Sequence, residues 1–306
     1  MEQIRRREME EAQRDHLGLI YEFIEDHNRP VIGDEELASL GVMKSTKLEI
    51  DDPAPIDLEP RYFHPCYDDT RGIEEVGDEC RLIWGETLDK GKGVDPEWVP
   101  NVAYRNPQYR AKWFWACYDT LSYCYDEDDG TQSGGYNVPY LEDFEYPDRE
   151  TGRQEMYVSH SVFTARCEDR PHTAILMCDA SVAPEDKMLL SELEASVALL
   201  RYQLAGGRFT DHHTKPVLVY TIQWETHGRI TQAHYDAKIN KLVIRQSRIL
   251  NLSGLAPTSD AYILLRWMMN EPVGETEYKH SEPEEGSDAG LPNNSCGPRV
   301  VVTKCG

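Results

Sequence analysis

Apolar positions recur most regularly between residues 156 and 270, where five short apolar runs predict β-strands. The run at 172–180 is continuously apolar, as expected of a central strand that is covered on both faces. Short turns separate the last three runs, which predicts an antiparallel meander. We expect the five strands at 156–167, 172–180, 216–224, 228–236 and 241–250.

Three further stretches place apolar residues at helical spacing and predict helices that cover the sheet. Proline fits the first turn of a helix and acids favour its positive end, so Pro184-Glu185-Asp186 predicts a helix start. Pro107 predicts another start, and Thr258 or Ser259 predicts an N-cap. The helices are expected at 107–125, 184–205 and 258–270. The order β-β-α-β-β-β-α therefore predicts an α+β fold with a five-stranded mixed sheet flanked by helices.

The rest of the chain divides into segments of different composition. Residues 1–44 predict an N-terminal helical segment, which we expect to dock on an α+β core domain at 107–272. Residues 45–106 carry many prolines and no sustained period, so they predict an irregular acidic segment. Residues 273–306 have few apolar side chains to bury and predict an acidic, disordered tail.

The chain is strongly acidic, with a net charge of −23, and its acidity lies in the flanks. Residues 1–150 carry 36 Asp and Glu against 16 Lys and Arg, whereas residues 151–270 carry 12 against 13. An anionic surface repels phosphate backbones and anionic lipids, which counts against membranes and against nucleic-acid binding by the whole chain. The acidic flanks could meet a basic protein partner, or they could simply keep the protein soluble.

The cysteines and the absence of long apolar runs predict a cytoplasmic or nuclear protein. No run approaches the ~20 apolar residues that span a membrane, and no apolar signal core follows the N-terminal charges. The eight cysteines form no C-x-x-C pair, so they predict reduced thiols rather than a zinc ribbon or a redox pair. No G-x-S-x-G motif or glycine-rich phosphate loop occurs, which disfavours an α/β-hydrolase, a kinase and an NAD-dependent oxidoreductase.

The strongest candidate for chemistry is a set of charged side chains that follow the central strand. Asp179 ends that strand, and Glu185 and Lys187 lie at the predicted helix start. A Mg²⁺-dependent hydrolase needs carboxylate oxygens that converge on the metal and often a lysine near the nucleophile. Asp179 and Glu185 could bind Mg²⁺, with Lys187 as a third catalytic residue. The structural alternative is that Asp179 caps the following turn and that the acids favour the helix dipole.

Two other groups of residues leave further alternatives open. His234 and Asp236 lie on one strand face, where they could share a metal or form an acid–base pair. His212, His213 and His227 supply no second ligand pair with firm spacing. Basic residues on the last two strands could form a groove for a phosphate backbone or could pair with acids of the flanks. These basic residues are Arg229, Lys241, Arg245 and Arg248.

The elements between residues 155 and 223 resemble the core of the PD-(D/E)xK, or restriction-endonuclease-like, fold, with a hairpin, a buried strand, a helix and another strand. The resemblance implies a metal-dependent nuclease. In that family the metal-binding acid lies on or near the second hairpin strand, and the E-x-K motif lies along the next strand. Here the strand ends as Met177-Cys178-Asp179-Ala180, without glutamate or lysine, and the string Glu185-Asp186-Lys187 lies at the predicted helix start.

A second resemblance covers residues 155–275. The strings GRITQAHYD at 228–236 and KLVIRQSRI at 241–249 are similar to the paired strands of a family of filamentous-fungal proteins. This resemblance implies a fungal source, and no functional residue is carried over from it.

Two functional hypotheses follow. The first is a non-enzymatic intracellular interaction or regulatory protein, without a cofactor, whose acidic flanks meet a basic partner. The second is a Mg²⁺-dependent nuclease or phosphodiesterase that uses Asp179, Glu185 and Lys187. Carboxylate oxygens that converge on one point would favour the second hypothesis, and carboxylates that diverge would favour the first.

Overall fold

A computed structural model of the chain has an α+β architecture, in which helices cover both faces of a large mixed sheet. The structure describes residues 2–51, 60–65, 70–84, 102–125, 144–147, 154–164, 170–205, 207, 209–224 and 226–278. The helices are α1 (Glu2–Asp26), α2 (Asp34–Ser39), α3 (Thr70–Glu79), α4 (Val102–Tyr125), α5 (Leu190–Ala205) and α6 (Ser259–Met268). The strands are β1 (Val31–Ile32), β2 (Val42–Lys44), β3 (Phe63–His64), β4 (Phe144–Pro147), β5 (Gln154–Thr164), β6 (Thr173–Asp179), β7 (Met188–Leu189), β8 (Val217–Gln223), β9 (His227–Asp236), β10 (Lys241–Gln246), β11 (Leu250–Asn251) and β12 (Glu271–Pro272).

The large sheet has the strand order β2-β10-β9-β8-β6-β5-β4, and β11 pairs with β9 at its side. Strands β6 and β8 are parallel and are joined through α5, whereas β8, β9 and β10 form the predicted antiparallel meander. The predicted fold class is confirmed. The predicted count of five strands is too low, because β2 and β4 extend the sheet at its two edges and both are too short to show a period.

Strand β6 divides its side chains between two hydrophobic clusters. Ile175 and Met177 pack with α1 and α5 on one face, while Leu176 and Cys178 pack with α4 and α6 on the other. Burial on both faces explains why this strand is continuously apolar in the sequence. The prediction of a central strand is therefore confirmed.

Helix α5 begins at Leu190, so the predicted start at 184 is wrong. The Lys187 amide donates to the Pro184 carbonyl oxygen (3.0 Å) in a turn, and Met188 and Leu189 then pair with β1. Proline followed by acids suits such a turn as well as it suits a first helical turn. Helix α4 also begins earlier than predicted, at Val102, with Pro107 inside it.

The N-terminal segment belongs to the same packed structure. Helix α1 packs against α5, as expected, and β2 pairs in parallel with β10. Helix α3 lies within 45–106, where the sequence predicts no regular element. Residues 279–306 of the predicted tail lie outside the described residues. Among the helices of the described ranges, none combines the length and the apolar character that a membrane crossing requires.

Candidate functional site

The parallel strands β6 and β8 end beside the N-terminus of α5. In α/β sheets, ligand sites form at this edge, because loops leave the strands there in opposite directions. Asp179 closes β6 and Gln223 closes β8, and the two residues are register partners. We call residues 180–187, which connect β6 to β7 across this edge, the strand-end loop.

Asp179 lies in the interior, with 1% of its surface exposed. Its Oδ1 accepts from the Ser181 amide (2.7 Å), and its Oδ2 accepts from the Ser191 hydroxyl (2.5 Å). Burial raises the pKa of Asp179 to about 7, although the hydrogen bonds from Ser191 and Ser181 lower it and the nearby Glu192 raises it further. The carboxyl group thus connects the strand end to the loop and to the first turn of α5.

Glu192 and Arg229 form a fully buried ion pair below the N-terminus of α5. Arg229 approaches with two nitrogens, Nε to Oε1 (2.8 Å) and Nη2 to Oε2 (2.6 Å). The same carboxylate accepts from the Leu189 amide (3.1 Å) and from Gln246 Nε2 (3.0 Å). Losing one partner of such a pair costs about 3–5 kcal/mol, because the other charge stays buried without compensation.

The network also holds the backbone of the strand-end loop. Arg229 Nη1 donates to the Lys187 carbonyl oxygen (2.8 Å), and Gln223 Oε1 accepts from the Ala183 amide (3.2 Å). Together with the bond from Ser181 to Asp179, these contacts give the loop's backbone groups partners at both ends. The polar side chains at this edge are therefore bonded to the protein's own loop.

The predicted site residues occupy different environments. Asp179 is buried, whereas the Glu185 side chain is 64% exposed and pairs with Lys47 (3.1 Å). Lys187 also lies at the surface, with its carbonyl turned to Arg229. Within the described ranges, no three His, Cys, Asp or Glu side chains come together as a metal site would require. A metal-binding role for Asp179 and Glu185 stays a prediction.

Three polar atoms on the α5-facing side of the sheet have no hydrogen-bond partner among the described residues. They are the hydroxyl oxygens of Thr221 and Thr231 and the Oε1 atom of Gln246. Thr231 and Gln246 are direct register partners on β9 and β10. A buried polar group without a partner costs about 1–3 kcal/mol, so these atoms weaken the network locally.

Three of the four basic residues that the sequence offered for a groove form contacts within the protein. Arg229 pairs with Glu192, as described above. Arg245 is buried and donates to the carbonyl oxygens of Thr46, Lys47 and Pro60. Arg248 pairs with the two acids Asp51 and Asp260. Pairing with an acid of the flanks, the alternative left open by the sequence, applies to Arg248 through Asp51, whereas Arg229 pairs with an acid of the core.

The histidines that the sequence singled out contact different partners. His234 is buried against Tyr62, and burial lowers its pKa to about 4. Its strand neighbour Asp236 accepts from the Lys238 amide (2.8 Å). His212 and His213 each contact a different threonine. A shared metal or an acid–base pair at His234 and Asp236 stays a prediction.

Helix α1 carries acids on the side opposite to its buried face. Leu17, Ile20 and Ile24 pack against α5, while the opposite side is exposed along its whole length. We call this line the outer stripe of α1, which consists of Ile4, Glu8, Glu11, Asp15, Leu19, Glu22 and Asp26. Leu19 is 63% exposed at the centre of its acidic half.

Sequence reasoning missed the network that Glu192 forms with Arg229 and Gln246. A partial signal was present, because Glu192 lies in a helical segment whose residues are mostly apolar. Charged residues in segments that read as buried are almost always paired.

Scans against protein-family models, curated proteins and solved structures find no match to the chain.

Proposed function

We propose that the chain is an interaction module that recognises a basic protein partner, without a cofactor, in the cytoplasm or the nucleus. The observation that carries the proposal is a contrast between two sets of acids. Those at the strand ends are bonded inside the protein, whereas those on the outer stripe of α1 are exposed. A reducing compartment suits the three described free cysteines, Cys80, Cys117 and Cys178.

The internal bonds of Asp179 and Glu192 support a structural role for the strand ends. A hard cation at this edge would need carboxylate oxygens that are free to coordinate it. Both oxygens of Glu192 already accept from Arg229, and each oxygen of Asp179 accepts from a serine or a backbone amide. The strand-end loop would have to move away from the strand ends before a substrate could reach these carboxylates.

The overall charge supports a cationic partner. At −23, the chain attracts basic surfaces over a Debye length of about 8 Å at physiological salt. Complementary charge increases the rate of encounter and suppresses wrong partners. A basic protein fits these properties better than a nucleic acid does.

The second candidate is a Mg²⁺-dependent nuclease or phosphodiesterase on a degenerate restriction-endonuclease-like core. One observation favours it: Asp179 is a buried acid with a raised pKa at the end of a central strand, where active sites commonly lie.

One experiment separates the two candidates. The full chain is incubated with a fluorescent lysine-rich peptide at increasing salt, and with single- and double-stranded DNA and RNA in the presence of Mg²⁺ or Mn²⁺. We expect peptide binding that weakens as salt rises, no cleavage, and the same binding by Asp179→Asn. Cleavage that requires the divalent ion and disappears in Asp179→Asn would overturn the proposal in favour of the nuclease.

A further inference from the structure

The outer stripe of α1 runs along one side of the helix without interruption. Its residues follow one another at intervals of three or four, which places them on one line of an α-helix. From Ile4 to Asp26 the line is about 33 Å long, at 1.5 Å per residue. Its residues are acidic except for Ile4 and Leu19, two of the few large apolar side chains that the described chain exposes.

The C-terminal half of the stripe is electrostatically uncompensated. No ion pair reaches Asp15, Glu22 or Asp26 from the residues that the structure describes. Within α1, no lysine or arginine lies three or four positions from Asp15, Glu22 or Asp26. The arginines of α1 lie near its N-terminus and at Arg14.

The helix end adds to the same field. The last turn of α1 holds Glu25 and Asp26 and no basic residue. The backbone carbonyls at a helix C-terminus carry the negative end of the helix dipole, so acids there are unfavourable by a few tenths of a kcal/mol or more. The helix end therefore adds negative potential at Asp26, the C-terminal end of the stripe, while Asp15 and Glu22 lie on either side of the exposed Leu19.

We propose that this face of α1, from Asp15 to Asp26, docks a basic amphipathic helix of a partner protein. The proposal rests on the proposed function and names its surface. Lysine or arginine residues at intervals of three or four would meet Asp15, Glu22 and Asp26. An apolar residue between them would cover Leu19, as in other helix-to-helix recognition.

Other occupants fit the stripe less well. A second copy of the chain would bring an identical acidic stripe, and like charges in contact oppose association. Nucleic acids and anionic lipids are repelled in the same way. An extended basic peptide would match the charges but would not repeat the helical spacing of the stripe.

The test uses the full chain and a labelled 18-residue peptide of lysine, leucine and alanine, with its leucines on one helical face. A second peptide has the same composition in scrambled order. The stripe variant combines Asp15→Asn, Glu22→Gln and Asp26→Asn. Its matched control removes three exposed acids elsewhere, Glu35→Gln, Glu75→Gln and Glu79→Gln. Circular dichroism verifies that each variant is folded.

We expect the stripe variant to weaken binding of the amphipathic peptide about tenfold or more, and the control to change it less than about twofold. Leu19→Ala, which keeps every charge, is expected to weaken binding about threefold to tenfold. Equal weakening by the stripe and control variants would overturn this inference and leave the proposed function standing. Equal affinity for the scrambled peptide would also overturn the helical occupant. Failure of the wild-type chain to bind either peptide at 0.15 M salt would overturn the proposed function itself.

Discussion

The carboxylates at the strand ends and those on the outer stripe of α1 lie in opposite environments. At the strand ends, Asp179 and Glu192 are buried and accept hydrogen bonds from serines, amides and Arg229. On the outer stripe of α1, Asp15, Glu22 and Asp26 lie in solvent, with no ion pair from the described residues and an exposed leucine between them. A buried carboxylate must be satisfied internally for the protein to fold, whereas an exposed one costs little and stays available. The proposed function therefore assigns a structural role to the position usual for a ligand site, and it assigns partner binding to the outer stripe of α1.

Breaking the buried ion pair is the largest perturbation that the comparison predicts. Arg229→Met leaves Glu192 buried without its counter-ion and should lower the free energy of unfolding by about 3–5 kcal/mol, as measured by urea denaturation. Lys47→Met breaks the exposed pair with Glu185 and should cost less than about 1 kcal/mol. Arg229→Met combined with Glu192→Gln should recover part of the loss. Equal costs for Arg229→Met and Lys47→Met would contradict a structural role for the buried pair.

The pH dependence of stability tests Asp179. Its pKa in the folded state, about 7, lies above the ordinary value of 3.8, so the fold favours the protonated form. The contribution of Asp179 to the free energy of unfolding is therefore fully present below about pH 4. It is lost as the pH rises through 7, by on the order of 1 kcal/mol per pH unit.

Asp179→Asn removes this titration and keeps the shape of the side chain. Its unfolding free energy should lack the decline that is predicted for the wild type between pH 4 and 7. Because asparagine can still accept from the Ser181 amide, we expect a stability change under about 1 kcal/mol at pH 5. Parallel pH profiles for the two proteins would show that Asp179 does not titrate in this range.

The strand positions could be predicted from the sequence because their signal is local. Apolar runs bounded by turns located β5, β6, β8, β9 and β10 to within a few residues. Strand β2 was not predicted, because three residues are too few to show an alternating apolar pattern. Its pairing with β10 also joins residues about 200 positions apart. The start of α5 was misplaced because pairing of β7 with β1, another long-range contact, keeps Met188 and Leu189 extended.

The candidate site was predictable only in its position. Asp179 at the end of a buried strand followed from the apolar pattern. Its partners did not, since Ser191 is 12 residues away and Arg229 lies 37 residues from Glu192. Whether an acid binds a metal or the protein's own loop depends on such contacts, which periodicity does not encode.

Removing a buried hydroxyl that has no partner should raise the free energy of unfolding, by less than the loss of the ion pair lowers it. Thr221→Val removes a buried hydroxyl that has no partner among the described residues, and should stabilise the protein by about 1 kcal/mol. Thr258→Val is the matched control. Its hydroxyl accepts from the Ala261 amide at the start of α6, so its loss should cost about 1 kcal/mol. Thermal unfolding should therefore move in opposite directions in the two variants, and destabilisation in both would mean that Thr221 has a partner.

The smallest expected effect lies on the outer stripe itself. Asp26→Asn removes an acid from the negative end of α1 and should raise the free energy of unfolding by about 0.3–1 kcal/mol at low salt. Glu35→Gln removes an acid from the positive end of α2 and should lower it by a similar amount. Both effects should shrink at 1 M salt, where the Debye length falls to about 3 Å. Salt-independent changes would show that packing, rather than charge, is responsible.

Amide hydrogen exchange with and without the amphipathic lysine–leucine peptide tests the central claim most directly, because one measurement reports on both regions of the full chain. Binding is predicted to slow exchange within α1, most strongly from Asp15 to Asp26, and to leave the strand-end loop and the first turns of α5 unchanged. Slower exchange in the strand-end loop and at the end of β6, with α1 unaffected, would contradict the claim and identify the strand ends as the binding site.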